Sequence, residues 1–192
     1  FLAAKDKEIA RLSGIYVTNL QNAGAELIHD RAVVVGPNTV EMAKDGRRVT
    51  AQRILVATGG RPWSPDIPGV EHVITSEEAF HLERLPKSIV IAGGGFIALE
   101  FAGIFNGLGV DTTLVHRGPN VLRGFDDHVR AHVAEELERR GIKVILGAQH
   151  ASVEKTASGL VSHMADGTKL PSEVVMFALG RRPYTAGLGL ES

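Results

Sequence analysis

No cysteine occurs among the 192 residues. That absence excludes a disulfide scaffold, a thiolate metal site and any redox-active dithiol within this stretch. An excess of charge of one sign is missing too. Lys and Arg number 21 against 22 Asp and Glu, a formal net charge of -1, and no block of like charge appears. Such a balance provides neither the basic footprint of a nucleic-acid binder nor a polybasic patch for a membrane, so small molecules are the expected partners. No apolar run approaches the roughly 20 residues that a spanning helix needs. Residues 1–11 are already charged and amphipathic, unlike a signal peptide, and the expected setting is the cytoplasm.

Hydrophobic residues make up 44% and charged residues 22%, the balance of a globular protein with a real core. The length admits one large domain or two small ones. Glycine is plentiful, at 22 residues, above the usual ~7%. The excess clusters at strand ends and helix starts, where nucleotide phosphates are held.

From Lys5 to Ala23, apolar residues at Ile9, Leu12, Ile15, Tyr16 and Leu20 follow a helical period that stops at Gly24, which predicts a surface helix. Residues 26–52 hold short apolar runs, Leu27-Ile28, Ala32 to Val35 and Thr39 to Met42, broken by Gly36-Pro37-Asn38 and Asp45-Gly46, the pattern of an antiparallel meander. Arg53 to Thr58 reads as an apolar strand closing on Gly59-Gly60. The proline-rich stretch from Pro62 to Gly69 then suits a connection between domains.

Strand and helix alternate after that: Ser88 to Ala92, helix from Phe96 to Leu108, Val110 to His116, helix from Asp126 to Arg140, and Ile142 to Leu146. This alternation predicts a parallel, doubly wound α/β sheet. A second meander, Ser152 to Thr156, Leu160 to Met164 and Lys169-Leu170, precedes a last strand from Glu173 to Ala178. There is also an internal echo. Ile54 to Pro62 resembles Val175 to Pro183, and each ends a meander, as when one domain is inserted beside a relative of itself.

Gly93-Gly94-Gly95-Phe96-Ile97-Ala98 follows the strand from Ile89 to Ala92 directly and opens the helix, a GxGxxA in the right context for a dinucleotide. Gly93 permits the tight turn, Gly95 lets the backbone approach a pyrophosphate, and Ala98 allows helix and strand to pack closely. The helix N-terminus adds unpaired N–H groups and partial positive charge. A site for NAD wants a carboxylate at the end of the second strand, to bind the ribose 2′-hydroxyl. This sequence ends that strand with Leu114-Val115-His116-Arg117, and Arg123 follows in the loop. Two guanidiniums, with an imidazole beside them, suit the 2′-phosphate of NADPH, since Arg makes planar bidentate phosphate contacts. Asp111 stands at the wrong end of the strand to serve NAD.

His128 and His132 lie four apart but have no HExxH and no third ligand, so an exposed helix surface explains them and no metal is expected. No GxSxG nucleophile elbow occurs. Glu100 either faces solvent or points towards a redox centre, and periodicity does not choose.

Taken together, Ile54 to Pro62, Gly93 to Glu100, His116-Arg117, Arg123-Gly124-Phe125-Asp126 and Gly180-Arg181-Arg182-Pro183 resemble the glutathione reductase branch of the flavoprotein disulfide reductases. The resemblance spans the whole chain. It implies NADPH reducing an FAD, the flavin reducing an active-site disulfide, and that dithiol reducing glutathione disulfide, in a complete enzyme that is a homodimer. By the same resemblance Gly93, Gly95, Phe96, Ile97, Glu100, His116, Arg117, Arg123, Gly180 and Arg181 contact NADPH or its approach to the flavin, and Thr58 and Gly59 touch FAD. No residue here is expected to be catalytic in its own right. Phe96 stands where the family usually has a tyrosine lid over the flavin, and Tyr184 where it has an asparagine.

The implied division is a partial FAD-binding domain over 1–69, an NADPH-binding Rossmann domain over 70–184, and a return towards the FAD domain over 185–192. The family's FAD-binding GxGxxG, redox cysteines and interface domain have no counterpart here, so the chain reads as the middle of a longer enzyme. Two other readings fit part of the pattern. One is a stand-alone, non-catalytic NADPH module. The other is a relative such as dihydrolipoamide dehydrogenase or mercuric reductase, which would need an acidic residue at position 117 or cysteines near the ends.

Overall fold

The computed structural model describes residues 2–190. They form two compact units, one holding the chain up to Gly60 and again from Pro183, the other Arg61–Arg182.

The first unit begins with helix α1 (Leu2–Asn22), on which no side chain is buried. Its apolar stripe, Ile9, Leu12, Ile15, Tyr16 and Leu20, is 40 to 68% exposed. The helix stops where Gly24 turns to φ 77. The N–H of Ala25 reaches back to the Leu20 carbonyl and that of Gly24 to Gln21, which satisfies carbonyls the last turn leaves open. Strands β1 (Ala32–Gly36), β2 (Thr39–Met42) and β3 (Arg48–Thr50) then make the expected antiparallel meander. The C-terminal return lies against it. Val34 N–H donates to the Leu188 carbonyl, and Arg31 donates to the carbonyls of Ala186 and Gly187.

One expected element is absent. Residues 53–58 run without strand structure, and Leu55 is 89% exposed. The apolar pattern is that of a strand, but a ladder needs a neighbour on at least one edge, and no described strand stands beside this segment.

Strand β4 (Gly60–Pro62) leads into the second unit. A 3-10 turn over Val70–His72 and the short helix α2 (Ser76–Ala79) follow. Thr75 and Glu78 close α2 with a reciprocal capping box. Then come β5 (Ser88–Ala92), α3 (Phe96–Gly107), β6 (Asp111–His116), α4 (Asp127–Arg139) and β7 (Lys143–Leu146), close to the bounds the alternation predicts. A second antiparallel meander, β8 (His150–Thr156), β9 (Gly159–Met164) and β10 (Lys169–Ser172), precedes β11 (Val174–Phe177) and β12 (Arg181–Pro183), which pairs with β4.

The central sheet is parallel in the order β11-β5-β6-β7. Successive residues of a strand point to opposite faces, and both faces here are covered, so β5 reads as one continuous apolar run. Ile89, Ile91, Leu114 and Met176 face α3 and α4, where they meet Ala98, Phe101, Ala102 and Leu137. Val90, Val115, Val175 and Phe177 face the meander and pack with Val153, Met164 and Leu170. Helices therefore cover one side and the meander the other. His150 is buried within that second layer, its ring edge-on to Phe177 with centroids 5.1 Å apart. Its Nε2, with the hydroxyls of Ser162 and Ser172, has no hydrogen-bond partner among the described residues.

Candidate functional site

The strand order reverses beside β5. From there the chain proceeds through α3 to β6 on one side, and β11 returns on the other. In open parallel sheets, ligands bind outside the carboxyl ends of the strands at such a point. The glycine run of residues 93–95 stands there.

Each glycine has a different reason. Gly93 has φ 143, and a Cβ on it would collide with the Ala178 carbonyl and stand 3.1 Å from the Ala98 methyl. Gly94 is excluded from change by a neighbour: a Cβ would lie 2.5 Å from Cγ of His116. Gly95 has an ordinary extended conformation, φ -89 and ψ 172, and a Cβ there would meet no atom within 4 Å. Nothing in the chain requires glycine at 95. It opens onto free space at the start of α3, whose N-terminus no side chain caps. The first-turn N–H groups have no partner within the helix. Open approach, unpaired donors and the positive end of the helix dipole together suit a pyrophosphate.

At the end of β6 the imidazole of His116 is wedged between Gly94 and Gly118, since a Cβ on Gly118 would lie 2.6 Å from its Nε2. Burial, and then the charges of Arg117, Arg123 and Arg130, hold this histidine below its usual pKa. It is therefore neutral at pH 7, and offers a ring nitrogen rather than a cation. Arg117 and Arg123 are exposed. Asp111, also exposed, sits at the far end of β6 from the glycine loop.

The loop bearing Arg123 is tied to its surroundings. Leu122 N–H donates to the Gly94 carbonyl at 2.6 Å, so the basic loop and the glycine loop are joined directly. Arg130, from the first turns of α4, donates through Nε to the Val121 carbonyl at 2.8 Å. Sequence reasoning did not find this residue. Its only signal is Asp127 three positions earlier, an ordinary helical pair, and nothing in the pattern points to a loop carbonyl.

Phe96 is 59% exposed on the first turn of α3, beside Ile97, and Glu100 is exposed one turn further on. Gly180 and Arg181 come just after β11, at the same carboxyl end of the sheet as Gly93, because β11 and β5 are parallel. The Gly180 carbonyl accepts from Trp63 N–H at 3.0 Å, and the Arg182 guanidinium lies 4.8 Å from the centroid of the Trp63 ring. Gly93, Gly95, Phe96, Ile97, Glu100, His116, Arg117, Arg123, Gly180 and Arg181 thus belong to one unit. Thr58 and Gly59 belong to the other. There the Thr58 hydroxyl donates to the Tyr184 carbonyl at 2.7 Å and Tyr184 N–H donates to the Gly59 carbonyl at 2.9 Å. Gly59 has φ 71, and a Cβ on it would meet nothing within 4 Å, so the turn leaves its backbone open at this point. His128 and His132 are exposed on α4, and no group of three metal-capable side chains occurs among the described residues. None of the described helices is long and apolar enough to cross a membrane.

Comparison with known proteins places this geometry. Over 191 residues the chain is 47% identical to the glutathione reductase of Burkholderia cepacia, covering 100% of this chain and 42% of that protein. It is 46% identical over 192 residues to the chloroplastic/mitochondrial glutathione reductase of Pisum sativum, covering 34% of it. The chain therefore spans less than half the length of these relatives. Among solved structures, the HOCl-induced flavoprotein disulfide reductase RclA from Escherichia coli matches with a TM-score of 0.89 at 24% identity, over 99% of this chain and 44% of that one. LpdA from Mycobacterium tuberculosis matches with a TM-score of 0.86 at 28% identity, over the same shares. These neighbours and this chain share a Rossmann-type fold. With residues 2–192 matching the family described as pyridine nucleotide-disulphide oxidoreductase, the chain belongs to that family.

Proposed function

We propose that this chain is the NADPH-binding portion, with a flanking piece of the FAD-binding domain, of an FAD-dependent glutathione-disulfide reductase. The observation that carries the reading is the pairing of an open Gly95 at the start of α3 with Arg117 and Arg123 beyond β6, where no carboxylate ends the strand. The division into 1–69, 70–184 and 185–192, a cytoplasmic setting and a homodimeric assembly belong to the same proposal.

When bound, NADPH supplies a hydride and FAD accepts it. This chain's residues bind and orient. The turn at Gly93 and the first N–H groups of α3 hold the pyrophosphate. Arg117 and Arg123 hold the 2′-phosphate by charge-assisted hydrogen bonds, with the His116 ring packed between Gly94 and Gly118 beside them. Phe96, its ring free on the first turn of α3, keeps the aromatic surface of a lid over the nicotinamide approach and lacks a hydroxyl to fix it. Gly180 and Arg181 line the nicotinamide half, and Thr58 and Gly59 meet the flavin. Reduction of glutathione disulfide then falls to cysteines outside these residues, since none is present here.

The test is an assay of the intact protein for NADPH-dependent reduction of glutathione disulfide. Turnover with NADPH well above that with NADH is expected, and no reduction of glutathione disulfide would overturn the reading.

A further inference from the structure

The loop between β6 and α4 contains a brace that direct cofactor contacts do not explain. Val121 is fully buried and Leu122 nearly so. Leu122 has φ 52, the one non-glycine residue in the left-handed region among those described. That conformation is unfavourable for a leucine and persists only where the surroundings enforce it. The enforcing contacts come from opposite sides. Leu122 N–H donates to the Gly94 carbonyl at 2.6 Å, and Phe125 N–H returns to the Leu122 carbonyl at 3.0 Å. On the other side the Val121 carbonyl accepts from Arg130 Nε at 2.8 Å. Arg130 Nη1 meets Asp127 Oδ1 at 2.6 Å, with only 18% of the arginine side chain exposed. The next residue after this pinned peptide is Arg123.

We infer that Arg130 is a positioning residue for recognition of the 2′-phosphate, fixing the backbone from which Arg123 projects. The inference rests on the NADPH reading above. Its physical basis is the arginine fork, which spans a backbone carbonyl and a carboxylate at once, whereas a single ammonium on a flexible stem does not. Ordering the loop before the anion arrives removes that cost from binding. Arg139 on the same helix is a useful contrast: it makes an ordinary pair with Glu136, and its side chain is 69% exposed.

The experiment is titration of the full chain with NADP+ and NAD+, which differ by the 2′-phosphate alone, for wild type, Arg130→Met, Arg130→Lys and Arg139→Met. Wild type is expected to favour NADP+ by about tenfold or more, as one charged contact would give. In Arg130→Met that ratio falls by about tenfold while NAD+ affinity stays within about twofold, and Arg139→Met matches wild type. An unchanged ratio in Arg130→Met, or an equal loss for both nucleotides, overturns the positioning role. Full recovery of the ratio in Arg130→Lys overturns it too, because charge alone would then suffice. Should circular dichroism show Arg130→Met unfolded, Arg130→Lys decides: a ratio lowered about threefold or more with NAD+ affinity kept supports the inference, and a wild-type ratio overturns it. Loss of preference in wild type itself refutes the NADPH reading instead, so the two failures are distinct.

Discussion

Single side chains in this protein act through their neighbours' shapes as much as through their charges. Arg117 and Arg123 are the direct case. On the proposed function, replacing both with Ala is expected to weaken NADPH at least about tenfold in a fluorescence titration and to leave NADH nearly unchanged, because NADH lacks the 2′-phosphate those guanidiniums would meet. Gly94 is the indirect case. A methyl at that position would be driven into the His116 ring. Gly94→Ala should therefore cost about 1–3 kcal/mol in urea denaturation, as overpacking does.

His150 gives a pH dependence. Burial lowers its pKa to about 4, whereas an unfolded chain binds that proton near the ordinary value of about 6.5. Between those values the unfolded state takes up more protons, so stability is full above the upper limit and falls as pH drops towards the lower one. The loss amounts to about 3 kcal/mol, an order-of-magnitude figure. Melting temperatures measured across that range should fall for wild type and flatten in His150→Leu. An equally steep fall in the variant would assign the acid lability elsewhere.

At the scale of elements, those that bury their own apolar faces were the easiest to foresee. Strand β5, helix α3 and the meander of β8 to β10 have both a period and a partner inside the chain, and their bounds agree with the pattern to within a residue or two. Ile91, fully buried in β5, packs under α3. Ile91→Ala should cost about 2–5 kcal/mol in the same denaturation experiment, since the void is closed in by a rigid sheet and helix. Residues 53–58 mislead for the opposite reason. Their composition suits a strand, but β structure is a property of pairs, and periodicity in one segment does not report whether a partner lies beside it. The candidate site divides along the same line. GxGxxA and the missing carboxylate after β6 are local and readable in order, whereas Arg130 on Val121 and His116 between two glycines depend on side chains reaching across a loop.

For the molecule as a whole, the two units differ in how much they bury. The sheet of the second unit is enclosed on both faces. In the first unit α1 buries no side chain and Leu55 stands 89% exposed. The second unit is accordingly expected to resist limited proteolysis longer than the first, with early cuts within residues 1–60 detected by mass spectrometry. Early cleavage inside β5 or α3 would contradict that ranking.

The imidazole held between Gly94 and Gly118 has a consequence for anyone retuning this protein's choice of nucleotide. A common design would place a carboxylate at the end of β6 to recruit NADH. Here that position is occupied by an imidazole packed against Gly94 and Gly118, so His116→Glu would leave a gap beside Gly94 as well as a new charge. A successful conversion must therefore refill the volume it removes as well as change the charge.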